Sequence, residues 1–382
     1  MRLAQARLLS LGERRSGARG LPFVASAHLL GALGALLATG NARAVDLPED
    51  RADVMLHSFN GGGVDAWGPA LLVRKSLYDK FSLFGTYYAD IVSNASIDVV
   101  TTASPYRETR NEVGGGLSYA VRDSLITLAG SYSSEPDYTA TAFNIDIATD
   151  AFGGMSTVGL GYTYGSDDVG RRDEGFFDYA KHWRYRLSLN QILTPRWMAT
   201  ANFEVVSDDG YLGNPYRVAL VFGAAVPERV PRTRTSRAAL LRVVGEVLPE
   251  TSVRADYRYF WDTWEIKSHT FELGATRRFG ERWLADAFTR FYSQDPALFY
   301  SNNAMSETQY VSRNRQLSQF SSWSVGTKVT YALHAVPGSY EMRLTGAIEY
   351  WKTNYDDFTD VRNGELYSYG SVVSQVFLTV VF

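Results

Sequence analysis

The chain has 382 residues, with 38 basic and 41 acidic side chains, 45% hydrophobic and 14% aromatic residues, and no cysteine. The missing cysteine excludes disulfides, thiolate metal ligands and sulfur redox chemistry. A charge balance this close to neutral gives a polyanion little to hold, so no nucleic-acid partner is expected.

The chain opens with a separable segment. Arg2, Arg7, Arg14, Arg15 and Arg19 make a basic stretch, residues 21–39 (LPFVASAHLLGALGALLAT) are apolar and small, and Ala42-Arg43-Ala44 fits a small-x-small cleavage site. Residues 1–44 are therefore expected to be a cleaved signal peptide, with 45–382 as one mature unit. An uncleaved anchor is the alternative, because the apolar stretch approaches spanning length. Arg14-Arg15 lacks the apolar residue at the usual twin-arginine offset. Removal of the segment leaves 32 basic and 40 acidic residues, a net charge of −8. Past residue 44 the longest apolar run is 218–226 (VALVFGAAV), far short of the ~20 residues a spanning helix needs.

From there the pattern repeats every two residues. Strands are expected at 52–60 and 66–77, then a turn at Tyr78-Asp79, a polar segment at 93–107, a strand at 109–121, a turn at Arg122-Asp123 and a strand at 137–148. A loop follows at 165–175. In 182–193, Trp183, Tyr185, Leu187 and Leu189 alternate with Arg184, Arg186, Ser188 and Asn190, before a turn at Thr194-Pro195. A loop at 208–232 leads to a strand at 233–248 and a turn at Pro249-Glu250. In 251–264, Val253, Ala255, Tyr257, Tyr259 and Trp261 alternate with Arg254, Asp256, Arg258 and Asp262. A turn at Gly280-Glu281, a loop at 293–316, a strand at 318–333 and a turn at Pro337-Gly338 come next. In 340–350, Tyr340, Met342, Leu344 and Ile348 alternate with Glu341, Arg343, Thr345 and Glu349, and after a loop at 352–365 the chain ends on a strand at 366–382.

Because successive strand side chains point to opposite faces, this pattern puts charge on one side of a sheet and apolar groups on the other. A soluble sandwich also alternates, but these segments exceed the ~5–6 residues usual for its strands. Short turns alternate with longer polar loops, as in bacterial outer-membrane barrels. The expected fold is all-β: a transmembrane, antiparallel, up-and-down β-barrel of about sixteen strands, fourteen to eighteen by the same rule, in the outer membrane of a Gram-negative bacterium.

Tryptophan placement agrees with a bilayer interface. Trp67, Trp183, Trp197, Trp261, Trp264, Trp283, Trp323 and Trp351 fall toward strand ends, where amphipathic rings suit the two rims. The last strand, SQVFLTVVF, places Val376, Leu378, Val380 and Phe382 on one face. Gln375, Val380 and Phe382 match the spacing of a C-terminal insertion signal, with Phe377 where glycine is frequent. By that likeness the outer-membrane assembly machinery is an expected partner, with outer-membrane lipid around the barrel.

A barrel this wide is not filled by its own side chains. Inward parity falls to Arg184, Arg186, Glu204, Arg254, Asp256, Arg258, Glu272, Arg278, Asp286, Arg290, Lys328, Glu341, Arg343 and Glu349. These line either an aqueous, porin-like channel for small solutes or a narrow lumen closed by paired charges. Only residues 45–51 precede the first strand, too few for a plug.

Catalysis finds little support. His28, His57, His182, His269 and His334 are scattered, and H-E-x-x-H, G-x-S-x-G and phosphate-binding glycine loops are absent from the sequence. Gly61-Gly62-Gly63 and Gly114-Gly115-Gly116 lack the strand-to-helix context of nucleotide sites. A hydrolase built on His182 or His269 with an acidic neighbour is the remaining enzyme reading, and no enzyme activity is expected. Acidic groups at Asp167-Asp168, Asp173-Glu174, Asp208-Asp209-Gly210 and Asp356-Asp357 with Asp360 lack EF-hand spacing. They read as solvated loops, so neither a metal nor a cofactor is expected.

Several phrases are distinctive: DIVSNAS and TTASP within 90–105, SSEPDYTA at 133–140, NPYR at 214–217, PRTRTSRA at 231–238, YRYFWDTWEIKSHT at 257–270 and FYSQDPALFY at 291–300. In this order, over most of the mature chain, they resemble a bacterial family of unknown function, of the exported outer-membrane barrel type. The resemblance implies location and architecture and supplies no catalytic residues. The functional expectation is a passive or partner-gated channel. Its alternative is a closed barrel serving another envelope component in assembly or export through loops 208–232 and 293–316.

Overall fold

The computed structural model describes residues 46–94, 96, 106–171, 174–336 and 339–382. Its first half comprises β1 (Arg51–Gly61), β2 (Val64–Leu77), β3 (Phe81–Asn94), β4 (Tyr106–Val121), β5 (Ser124–Glu135), β6 (Tyr138–Ala151), β7 (Ser156–Arg171), β8 (Phe176–Thr194) and β9 (Trp197–Gly210). A small hairpin of β10 (Val218–Val221) and β11 (Ala224–Pro227) follows. The second half comprises β12 (Thr233–Leu248), β13 (Thr251–Asp262), β14 (Lys267–Phe279), β15 (Trp283–Gln294), β16 (Phe320–Val336), β17 (Tyr340–Thr359) and β18 (Leu366–Val381).

Among the described residues, sixteen antiparallel strands close into a barrel, each pairing with its sequence neighbour, β9 with β12, and β18 back on β1. Closure runs from Arg51 opposite Val381 to Gly61 opposite Ser371. The barrel strands are 11 to 20 residues long, and a closed sheet of such strands leaves no edge unpaired.

Period two fixes the register. On β8, Tyr185, Leu187 and Leu189 are exposed while Arg184 is buried; on β14, Phe271 and Leu273 are exposed while Glu272 is buried. The exposed aliphatic belt includes Leu56, Leu71, Val73, Leu160, Leu241, Ile348 and Val376. So continuous an apolar surface on the outside, with ionic side chains within, is the inverse of a soluble protein and suits contact with lipid.

Turns at one end are tight and use left-handed backbone: Tyr78 and Asp79 have φ of 54° and 51°, Arg122 52° and Glu250 62°. Such angles match the right-handed twist of the flanking strands.

Several expected boundaries shift. A further tight turn, with a 3-10 turn at Phe152–Gly154, joins β6 to β7. The loop expected at 165–175 is mostly strand, since β7 runs to Arg171, and β17 continues through the expected loop at 352–365 as far as Thr359. Asp167-Asp168, Asp208-Asp209-Gly210 and Asp356-Asp357 therefore stand at strand ends, because ladder pairing extends past the apolar belt. Outer connections are not uniformly long: Gly62-Gly63 alone joins β1 to β2. The expected signal peptide, the turn at Pro337-Gly338, Asp173 and most of 93–107 lie outside the described residues.

Candidate functional site: the lumen and its lid

The inward faces of β13 to β17 carry a continuous buried charge network. Arg254 donates through Nη1 to Asp286 Oδ2 at 2.5 Å and through Nε to Glu272 Oε1 at 3.2 Å. Glu272 also accepts from Arg290, Nη2 to Oε2 at 2.7 Å, and Arg290 Nη1 lies 3.9 Å from Glu349. Ser324 donates to Glu349 and Thr276 to Asp286, and Lys328 stands opposite Asp286 in the ladder. All six ionic side chains are buried. The Phe288 ring fills the space between the Arg254 and Arg290 guanidiniums, at 5.6 and 5.8 Å.

A glycine in the intervening strand makes such pairs possible. Arg254 of β13 reaches Asp286 of β15 over Gly274 of β14, where an added Cβ would sit 2.4 Å from the Arg254 guanidinium carbon. Arg186 of β8 likewise reaches Asp146 of β6 at 2.7 Å across Gly161 of β7. The absent side chain is the requirement at both positions.

The other expected lumen residues are distributed as follows. Asp256 is buried and bonded to Arg242, Nε to Oδ1 at 2.8 Å. Arg184 lies 3.6 Å from Glu204. Glu341 and Arg343 pair at 2.7 Å near the turn-bearing end of the barrel, half-buried, and Arg258 is half-buried beside the Phe260 ring. Arg278 keeps its inward parity but is exposed at the strand end.

The wall of β1 to β4 supplies groups that the sequence reading missed. His57 Nε2 lies 2.8 Å from Asp90 Oδ1 and 3.0 Å from the Tyr88 hydroxyl, with the two rings stacked 4.7 Å apart. Arg74 sits over Phe84, and Arg110 pairs with Glu112 at 2.6 Å. The same parity marks them, but glycine and serine dilute the alternation in these strands.

Of the tryptophans, Trp67, Trp197, Trp283 and Trp323 are exposed and Trp183 and Trp261 partly so, all with outward parity. Trp264 and Trp351 are corrections. Trp264 follows the end of β13 and is buried against Ala297, Leu317 and Phe299, its Nε1 donating to the Thr233 carbonyl at 3.0 Å. Trp351 shares the parity of Glu349, so it is buried inside, 5.3 Å from Arg290, while Tyr350 faces out. In the last strand Val376 and Phe382 are exposed, Leu378 and Val380 are half-buried with the same outward parity, and Gln375 is buried within.

Two connections form a lid at the mouth opposite the tight turns: 211–232, carrying the β10–β11 hairpin, and 295–319. They are hydrogen-bonded to each other, Arg229 N to Val311 O at 3.0 Å, Val311 N to Arg229 O at 2.8 Å and Ala304 N to Leu220 O at 2.8 Å. Tyr216 of the first donates to Asp137 beyond β7 at 2.5 Å. Arg313 of the second donates to the Thr359 carbonyl at 2.7 Å. Leu212, Ala297 and Leu317 pack with Ala238 and Phe260, both of inward parity, and Arg315 lies 5.4 Å from the inward Tyr369 ring. The lid therefore enters the lumen.

Beneath it, a cavity of about 70 Å³ is lined by His182, Arg184, Asp208, Arg234, Phe260 and Trp264 among others. His182 lies between two carboxylates, Nδ1 2.7 Å from Asp208 and Nε2 2.9 Å from Asp167. Both ring nitrogens are thus engaged, which leaves neither to activate a nucleophile. His269 has outward parity and its Nδ1 meets the Tyr257 hydroxyl at 2.8 Å. Among the described residues no group of His, Asp and Glu is arranged to hold a metal ion.

The fold is shared with solved outer-membrane proteins. A bacterial polysaccharide outer membrane secretin aligns over 88% of this chain and 100% of its own, with a TM-score of 0.53 and 9% identity. OccK2 (OpdF) of Pseudomonas aeruginosa aligns over 87% of this chain and 99% of its own, with a TM-score of 0.42 and 10% identity. At 9% identity the likeness to the secretin is one of fold alone, an outer-membrane β-barrel. No curated protein matches the sequence. A family model described as "Protein of unknown function (DUF3570)" matches residues 83–376, and the chain belongs to that family.

Proposed function

We propose that the chain is an outer-membrane channel for small solutes, held closed by the joined connections 211–232 and 295–319. The observation behind this reading is the packing of Leu212 and Leu317 onto the inward-facing Ala238 and Phe260. A barrel needs no such insertion for stability, whereas a gated conduit requires a removable obstruction. The paired charges below the lid leave a lumen wall that is polar and fixed, suited to water and small polar solutes. In the cell, the outward face of Val376, Leu378, Val380 and Phe382 is the segment we assign to recognition by the assembly machinery.

Planar-bilayer recording of the refolded protein tests the channel. The intact barrel should conduct only in rare, brief openings, and a variant in which a short Gly-Ser link replaces residues 214–229 should stay open. Silence from both would remove the channel reading.

One observation favours the partner reading. Phe222 at the tip of the β10–β11 hairpin is 66% exposed and the nearby Met305 74%, an apolar crest on the outer face of the lid. Photo-crosslinking from position 222 in whole cells should capture an envelope protein if the barrel serves as an export component.

A further inference from the structure

From the cavity beneath the lid we infer a binding site for the terminal ring of a neutral saccharide, entered when the lid lifts. The inference rests on the conduit reading and names the class of solute.

The lining combines two chemistries. Phe260 and Trp264 offer aromatic surface, onto which the C–H faces of a pyranose stack. Arg184 and Arg234 offer fixed donors and Asp208 an acceptor within the same wall, the alternating set that vicinal hydroxyls satisfy. Tyr211 also borders the cavity, and burial with the nearby Glu228 charge pushes its phenol up to about 12, so it presents a neutral hydroxyl.

Charge decides against an anion. Each cation at the cavity already has a carboxylate: His182 with Asp167 and Asp208, Arg184 with Glu204 at 3.6 Å, Arg234 with Asp262 at 2.5 Å. A phosphate or uronate would have to displace one of these buried partners, at the cost of an uncompensated charge. A neutral polyol needs only to join the existing hydrogen bonds.

The cavity's position fixes the order of events. Leu212 and Gly213 form its wall on the lid side, so ring entry requires that segment to move, and binding and opening are coupled.

The test is calorimetric titration of the full-length barrel in detergent micelles, and of the variant trimmed at 214–229, with glucuronate as the anionic control and with the neutral trisaccharides maltotriose, cellotriose and triacetylchitotriose. The trimmed barrel should bind at least one of them at millimolar or lower concentration, more tightly than the intact barrel. Asp208→Asn should weaken binding about tenfold. Ser236→Ala, which removes one lining hydroxyl and no charge, should weaken it about threefold and serves if the first variant fails to fold. Phe152→Ser, in the opposite turn, should change nothing. Absence of binding by the trimmed barrel, binding indifferent to both lining variants, or tighter binding of glucuronate than of the neutral sugars would overturn the assignment. A barrel that conducts yet ignores these sugars removes this inference alone; one that binds them without conducting removes the channel alone.

Discussion

Arg290 of β15 and Glu272 of β14 face each other across one ladder position and are joined by a 2.7 Å hydrogen bond, with side chains only 3% and 2% exposed. Because Glu272 also receives Arg254, one carboxylate bridges two guanidiniums. Breaking a buried pair from one side leaves an uncompensated charge and costs about 3 kcal/mol or more.

Glu272→Gln should therefore lower the stability of the folded barrel by about that amount, read as a fall in the urea midpoint in lipid vesicles. Glu341→Gln gives the contrast. The Glu341–Arg343 pair is 34% and 21% exposed, and solvent screening holds such a pair to about 1 kcal/mol or less. If the two substitutions cost the same, the network of β13 to β17 is not desolvated as described.

The lid offers a reversible lock. Arg229 and Val311 exchange both backbone hydrogen bonds, which for an antiparallel pair sets the Cα atoms about 5.5 Å apart, within disulfide range. The chain has no cysteine of its own, so Arg229→Cys with Val311→Cys introduces a single pair. Oxidation should abolish even the brief openings in a bilayer, and reductant should restore them. Openings unchanged by oxidation would mean that solute passes elsewhere than between these connections.

The barrel was legible because period two is a local property: in β13, Arg254 and Asp256 alternate with Ala255 and Tyr257, and membrane and lumen enforce the split along the whole strand. Parity also assigned the network residues to one face. It failed where two aromatics adjoin, as at Tyr350 and Trp351, since either could be the outward ring. It failed again at Trp264, which lies past the end of β13, where alternation stops and loop packing takes over. The His57–Asp90 contact joins β1 to β3 across Gly68, and the cavity is completed by Leu212 and Gly213 from the lid. Contacts of this kind depend on three-dimensional closure and leave no periodic trace.

Asp50, just before β1, ties the closing seam. Its carboxylate accepts from the Ser76 amide at 2.5 Å and pairs with Lys75 at 2.8 Å, while its carbonyl accepts from the Phe382 amide at 3.1 Å. Partial burial opposes ionisation, but the Lys75 and Ser76 bonds outweigh it and hold the carboxyl below its ordinary value of 3.8. A depressed folded pKa stabilises above the unfolded value and ceases to do so as pH falls through the folded value. Protection of the Ser76 amide from hydrogen exchange, corrected for intrinsic rate, should be constant from neutral pH down to about 4 and then decline. In Asp50→Asn it should be low throughout and insensitive to pH.

Gly274 tests how the lumen wall is built. Arg254 crosses it to reach Asp286, and a Cβ there would lie 2.4 Å from the guanidinium carbon. The side chain can swing aside at little steric cost, so the penalty of Gly274→Ala is electrical: Asp286, 4% exposed, loses its strongest partner, although Thr276 still donates to it at 2.6 Å. The substitution should cost about 2 kcal/mol, toward the lower part of the range for breaking a buried pair because one hydrogen bond survives. Gly274→Ala combined with Asp286→Asn should cost less than the two single changes added together, because both act on one contact. Strict additivity in the urea midpoints would show that Gly274 matters for backbone reasons and not as the passage beneath Arg254.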